Sequence, residues 1–184
     1  DGSEIDTVEV PELNTDITYG RYKNGSSDFK YLSYTPGKSN NDATDMNVVE
    51  KPVFSEKGGF FDNEFQLTLA DNNGNEIYYT TDGSDPRTSD TAKLYSEGIR
   101  IYNNTNEPNV YSAIRDITLT EYTPTSKKVE KGIVIRAASK NADGKFSEVE
   151  HNSYFIGKTT SYFSEMKVIS MVTDSDYLFD EENG

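Results

Sequence analysis

The chain has 184 residues and a formal net charge of −14, from 18 Lys and Arg against 32 Asp and Glu. That balance argues against a nucleic-acid footprint, which needs clustered cations, and against an anionic membrane surface. With no cysteine there are no disulfides, Cys-ligated zinc sites, iron–sulfur clusters or thiol nucleophiles, and a single histidine, His151, leaves no His-rich metal site.

No apolar run approaches the roughly 18 residues needed to span a bilayer as a helix. The opening stretch DGSEIDTVEV has neither the basic nor the apolar region of a signal peptide. Thirteen Tyr and nine Phe, with many Val and Ile, suit pleated half-buried surfaces and predict an all-β secreted domain with polar loops.

Taken in chain order, residues 1–16 are acidic and carry only Ile5, Val8, Val10 and Leu13 as anchors. Residues 17–33 read as a hairpin, with ITYGRY and DFKYL flanking a polar loop in which Asn24 and Gly25 supply positive φ. TPGKSNNDATDMN (35–47) has linker composition. EFQLTLA (64–70) alternates strictly and is expected to pair with EIYYTT (76–81) as a hairpin across the tight 71–75 connection. DGSDP (82–86) is a dense turn cluster.

GIRIY (98–102) and GIVIRAAS (132–139) are further strands, and a turn at Asp143 and Gly144 leads into FSEVEHNSYFIG (146–157). The polar stretch 103–131 holds one strand-like piece, ITLTEY (117–122), and is expected to hold a strand or a short helical turn near 110–114. MKVISMV (166–172) is apolar on both faces, and Asp174 is placed to cap a short helix after it. Short strands punctuated by turns predict an immunoglobulin-like β-sandwich with an additional N-terminal hairpin. Its expected inner row is Phe54, Phe65, Leu67, Leu69, Ile77, Tyr79, Ile99, Ile101, Ile133, Ile135, Val149 and Phe155.

KPVFSEKGGFFDNEFQLTLA, EIYYTTDGSDPRTSDTAKLYSEGIRI and GIVIRAASKNADGKFSEVEHNSYFIG together resemble the chitobiase/β-hexosaminidase C-terminal-type domain, also called the fibronectin type III-associated domain. The core of the match is YTTDGSDP (79–86), Leu94 and Tyr95, the strand around Ile135, and YFIG (154–157). On the flanks, YGRYKNGSSDFKYLSYTPGKSN (19–40) resembles the last strands of a bacterial lamin-tail domain. VISMVTDSDYLFDEENG (168–184) is similar to the opening of spore-coat-H-type (CotH) kinase-like proteins.

These resemblances imply three parts: 1–45, the end of a lamin-tail-like domain plus linker; 46–157, the sandwich; and 158–184, a linker and the first kinase-like segment. They also imply a non-catalytic accessory or spacer module of a secreted or cell-surface bacterial protein. Its partners would be neighbouring domains of the same polypeptide, with cell-wall or plant polysaccharide as the alternative ligand. No catalytic motif of the kinase family falls within 1–184, and no cofactor is expected.

Each candidate site has a functional and a structural reading. Asp82 and Asp85 could serve calcium, which wants several hard oxygens, but the DGSDP spacing suits side chains that bond their own turn, so no metal is expected. Tyr78, Tyr102 and Tyr111, or Tyr19, Tyr22 and Tyr31 in the hairpin, could stack on sugar rings, although cross-strand tyrosines also simply stabilise sheets. His151 is expected at a solvent-facing or edge position rather than as a general base, and Lys127, Lys128 and Lys131 in a solvated loop. Asn24 and Asn103 open short glycosylation sequons, a pattern that arises by chance.

Overall fold

The computed structural model describes residues 2–11, 13, 16–115, 123–157, 167–173 and 176–179. The chain divides into two compact units, 1–48 and 49–184.

In the first unit, β1 (Ile17–Arg21) pairs antiparallel with β2 (Phe29–Ser33), with Tyr19 opposite Tyr31. Positive φ in the connecting loop falls on Lys23 and Gly25 rather than on Asn24. Asn24 instead ties the loop to residues further along, accepting from Asn40 N at 3.2 Å and donating its own N–H to Asn41 Oδ1 at 3.0 Å.

The stretch of linker composition, 35–47, folds back along β2. Ser33 N donates to Thr44 O at 2.9 Å and Met46 N to Tyr31 O at 2.9 Å. Lys30 and Asp45 form an ion pair at 2.7 Å. Its Ser and Asn side chains provide the ties: Ser39 caps a 3₁₀ turn at Asn40–Asp42, and Asn40 Nδ2 donates to Arg21 O at 3.1 Å. Leu32 is the fully buried apolar side chain of this unit.

In the second unit, β4 (Gly59–Phe61), β7 (Glu76–Thr80), β8 (Lys93–Leu94), β10 (Ile133–Lys140) and β11 (Glu150–Ile156) form one sheet in the order β4-β11-β10-β7-β8. All its pairs are antiparallel except β4 with β11. The opposing layer comprises β3 (Val53–Phe54) with β6 (Leu69–Ala70) and β5 (Phe65–Leu67) with β9 (Ile99–Ile101). Strands β5 and β6 are one run of chain interrupted at Thr68, which exchanges hydrogen bonds with Ser55 instead.

Leu67, Leu69 and Ile101 from this layer bury against Ile77, Ile135, Ala137, Tyr154 and Ile156 of the five-stranded sheet. Two layers with alternating inner residues, one a five-stranded sheet and the other two short strand pairs, make an immunoglobulin-like β-sandwich with a parallel pair at one edge. A four-residue helix, α1 (Asp176–Phe179), lies near the C-terminus.

Three local expectations change. The segments 64–70 and 76–81 are not hairpin partners, because β6 pairs with β3 while β7 pairs with β10 and β8. The 71–75 connection crosses between sheets, and Asp71 Oδ1 shapes it by accepting from Asn73 N at 2.8 Å and Asn75 N at 3.0 Å. In β11 the inner positions are Tyr154 and Ile156; Phe155 stacks on Phe60 at 5.1 Å over Gly132. Val149, in line with Phe155, stays outside the core cluster.

The reason is that the inner register of β11 also carries polar residues, which hides it in the sequence. Asn152 accepts from Gly58 N at 2.7 Å and Glu150 pairs with Lys51 at 3.0 Å, so both find partners on the chain before β4. Of the strand or helical turn expected near 110–114, the turn is present, as a 3₁₀ turn at Tyr111–Ala113. ITLTEY (117–122) and Asp174 lie outside the described residues, as does 158–166.

Candidate functional site

The turn after β7 gathers many side-chain hydrogen bonds. Asp82 Oδ1 accepts from Ser84 N at 3.1 Å and Ser84 Oγ at 2.5 Å, and Oδ2 from Thr91 Oγ1 at 2.6 Å. Asp85 Oδ1 accepts from Arg87 N at 2.9 Å, and Oδ2 from Arg87 Nη2 at 2.7 Å. Two anchors fix the loop to the sheet: Thr80 Oγ1 donates to Ser84 O at 2.6 Å, and Arg136 Nη1 donates to Gly83 O at 2.6 Å. Gly83 at φ 86 occupies the left-handed region that a side chain disfavours.

Burial pushes the Asp82 carboxyl up, but the Ser84 and Thr91 donors outweigh it and the net direction is down. The Arg87 guanidinium holds Asp85 below the usual carboxylate range, against a smaller opposing effect of burial. Both carboxylates are thus occupied by donors of their own loop, the geometry of turn building. Among the described residues no group of three or more His, Asp or Glu is suited to hold a metal ion.

The Asp85 shift sets a pH dependence. A carboxyl whose folded-state pKa is depressed contributes stability above its unfolded value of about 3.9, and loses it as pH falls through the folded value. Asp85→Asn is therefore expected to lower stability by about 1 kcal/mol at pH 7, on the scale of a lost side-chain cap. The gap to the parent should close as pH falls below about 4. Urea unfolding at pH 7, 4 and 2.5 checks this; a gap that stays constant with pH contradicts it.

The three candidate tyrosines do not form one row. Tyr78 packs edge-on against Phe146 at 5.8 Å, with Lys140 Nζ 5.5 Å from its ring and its hydroxyl 3.2 Å from Glu76. Tyr102 follows β9 in the opposing layer, with the Arg100 guanidinium 4.9 Å from its ring. Tyr111 is 47% exposed, and its hydroxyl donates to the backbone carbonyl of Asp82. In the hairpin, Tyr19 packs on Tyr31 and Phe29, while Lys30 sits over Tyr22 at 4.6 Å.

Of these rings, Tyr111 lines a groove of about 310 Å³, together with Val134, Met171, Leu178 and the start of the DGSDP loop. The wall made by Met171 and Leu178 comes from chain that returns to the sheet after β11, where Ser170 Oγ donates to Ser153 Oγ at 2.7 Å. Tyr111 stands out in the sequence as an aromatic candidate, whereas the apolar residues around it come from separate segments and do not. His151 is exposed on β11.

Lys127 and Lys128 are exposed, but Lys131 is not a loosely solvated cation. Its ammonium donates to the carbonyls of Thr105 at 3.2 Å, Glu107 at 3.1 Å and Val129 at 3.0 Å, and so braces the long 103–131 connection.

The fold is an immunoglobulin-like β-sandwich whose DGSDP loop satisfies its own carboxylates. Residues 65–154 match the family model described as Fn3 associated, a span running from β5 into β11 and including the DGSDP loop. The match supports the chitobiase-type, immunoglobulin-like reading of the second unit. The chain has no significant match among curated proteins or among solved structures.

Proposed function

We propose that this chain is a non-catalytic spacer module of a secreted or cell-surface bacterial protein of spore-coat-H (CotH) type. In this reading 1–45 ends a lamin-tail-like domain and 158–184 opens a kinase-like one. The sandwich holds its neighbours in the same polypeptide apart. One observation carries the reading: the carboxylates of the most conspicuous polar motif, Asp82 and Asp85, spend their acceptor capacity on donors within their own loop. Groups so occupied serve as scaffold, because general acid–base or ligand chemistry needs a group free to reach a substrate. Small-angle scattering of a longer polypeptide carrying both flanking domains tests the spacer role. A fixed separation of the outer domains is expected, and a broad spread of separations contradicts it.

A second reading rests on Tyr111. A half-exposed ring in the wall of a groove is what stacking on a sugar face requires. Under this reading affinity electrophoresis shows retention by a cell-wall or plant polysaccharide, and Tyr111→Ala lowers that affinity at least about tenfold, the scale of a lost aromatic contact. Uniform non-retention across the glycan panel removes the reading.

A further inference from the structure

The first unit has an open sheet edge, and the chain just before it carries the pattern to fill it. Within the hairpin, Tyr22 N donates to Asp28 O at 2.7 Å. Antiparallel ladders alternate the direction of their backbone groups, so the N–H and C=O groups of Ile17, Tyr19 and Arg21 point away from β2. Among the described residues no strand pairs with that side of β1, where the Arg21 carbonyl accepts from the Asn40 side chain at 3.1 Å. A two-stranded ribbon is marginal in water, and an open edge is a template for other strands.

Residues 2–11 have no strand pairing in the structure, and Val8 and Val10 are 43% and 56% exposed. An ion pair places Asp6 of this segment at the far end of β1, where Arg21 Nη2 meets its Oδ2 at 2.5 Å. The chain then returns to the start of β1, where Asp16 takes φ 63, a turn conformation. An antiparallel register with Asp6 opposite Arg21 places Val8 opposite Tyr19 and Val10 opposite Ile17. All three pairs fall on the face where Tyr19 packs on Phe29 and Tyr31, while Thr7 and Glu9 fall on the other face with Gly20 and Thr18. A shift of one residue would turn both valines away from the aromatic face.

We infer that residues 6–10 are the strand that closes the free edge of β1 in the same chain, with the Asp6–Arg21 pair setting its register. The sheet then runs from 6–10 through β1 and β2 to the returning chain at 44–46. That meets the three-strand requirement for independent stability and removes the edge as a template for association.

The absence of cysteine allows a clean test. In this register Glu9 and Thr18 form a non-hydrogen-bonded pair, whose close side chains suit a disulfide. Glu9→Cys/Thr18→Cys leaves the aromatic face intact. In the full chain, at low protein concentration with oxidised glutathione, it is expected to form an intrachain disulfide as the main species. Glu9→Cys/Ile17→Cys, out of register and on opposite faces, is expected to stay reduced. A disulfide between chains would overturn the inference, because a second copy would then supply the strand; failure of the first pair to close would overturn it too.

Amide exchange of the unmodified chain gives an independent readout. Val8 and Val10 are expected to exchange at least about tenfold more slowly than Thr7 and Glu9. Equal rates at all four would overturn the strand.

Discussion

Replacing Tyr154 by Ala is expected to destabilise the second unit by about 3–5 kcal/mol, the range for deleting a buried aromatic side chain. Tyr154 is fully buried, with its ring edge-on to Phe65 at 5.7 Å and tilted against Phe61 at 6.0 Å. Its hydroxyl donates to the carbonyl of Glu56 at 2.8 Å, on the connection between β3 and β4. One side chain therefore fills the centre of the sandwich and pins the segment that crosses its end. Burial also pushes the phenol up from its ordinary pKa. Tyr154→Phe keeps the ring and loses only the hydrogen bond, for an expected cost of about 0.5–1.5 kcal/mol. Urea unfolding separates the two; equal losses for Ala and Phe would mean that the ring contributes no packing.

Ile135→Ala is expected to cost about 2–5 kcal/mol, the range for truncating a fully buried aliphatic side chain. Ile135 is fully buried in the middle of the five-stranded sheet, where β10 pairs with both β11 and β7. With Asn152 of β11 beside it, β7 joining the sheet one residue further on and the opposing layer above, the site has little room to collapse into the space left behind. A loss under about half a kcal/mol, as for a surface substitution, would show that Ile135 does not face the opposing layer.

The strands that alternate cleanly in the sequence are those of the sandwich core. Leu67 and Leu69, Ile77, Ile101 and Ile135 all bury on one side of their strands, as period two requires. Strands β3, β4 and β8 have two or three residues each, too few to show a period, and exist because a longer neighbour pairs with them. Strand β11 misleads for another reason: Glu150 and Asn152 occupy the inner register at the sandwich end, so the apolar Val149 and Phe155 suggest the wrong parity.

The return of 35–47 along β2 could not be read from composition, because the same Ser, Asn and Asp residues that make a flexible linker also make these specific ties. In the candidate site, the DGSDP turn was legible as a turn because its bonds are local. The groove beside it was not, since Tyr111, Val134 and Met171 meet only through tertiary packing. Lys131 was hidden in the same way, its three carbonyl partners being placed by a loop with no periodic signal.

The central claim is that the apolar side chains of the second unit are spent on joining two sheets. Methyl-selective NOE spectroscopy of the full chain tests it most directly. Cross-peaks are predicted between methyls of the two layers, from Leu67 and Ile101 to Ile77 and Ile135, with no methyl–water exchange contacts at these positions. Methyls of Ile101 and Ile135 that contact water or an added glycan, and not each other's layer, would contradict it.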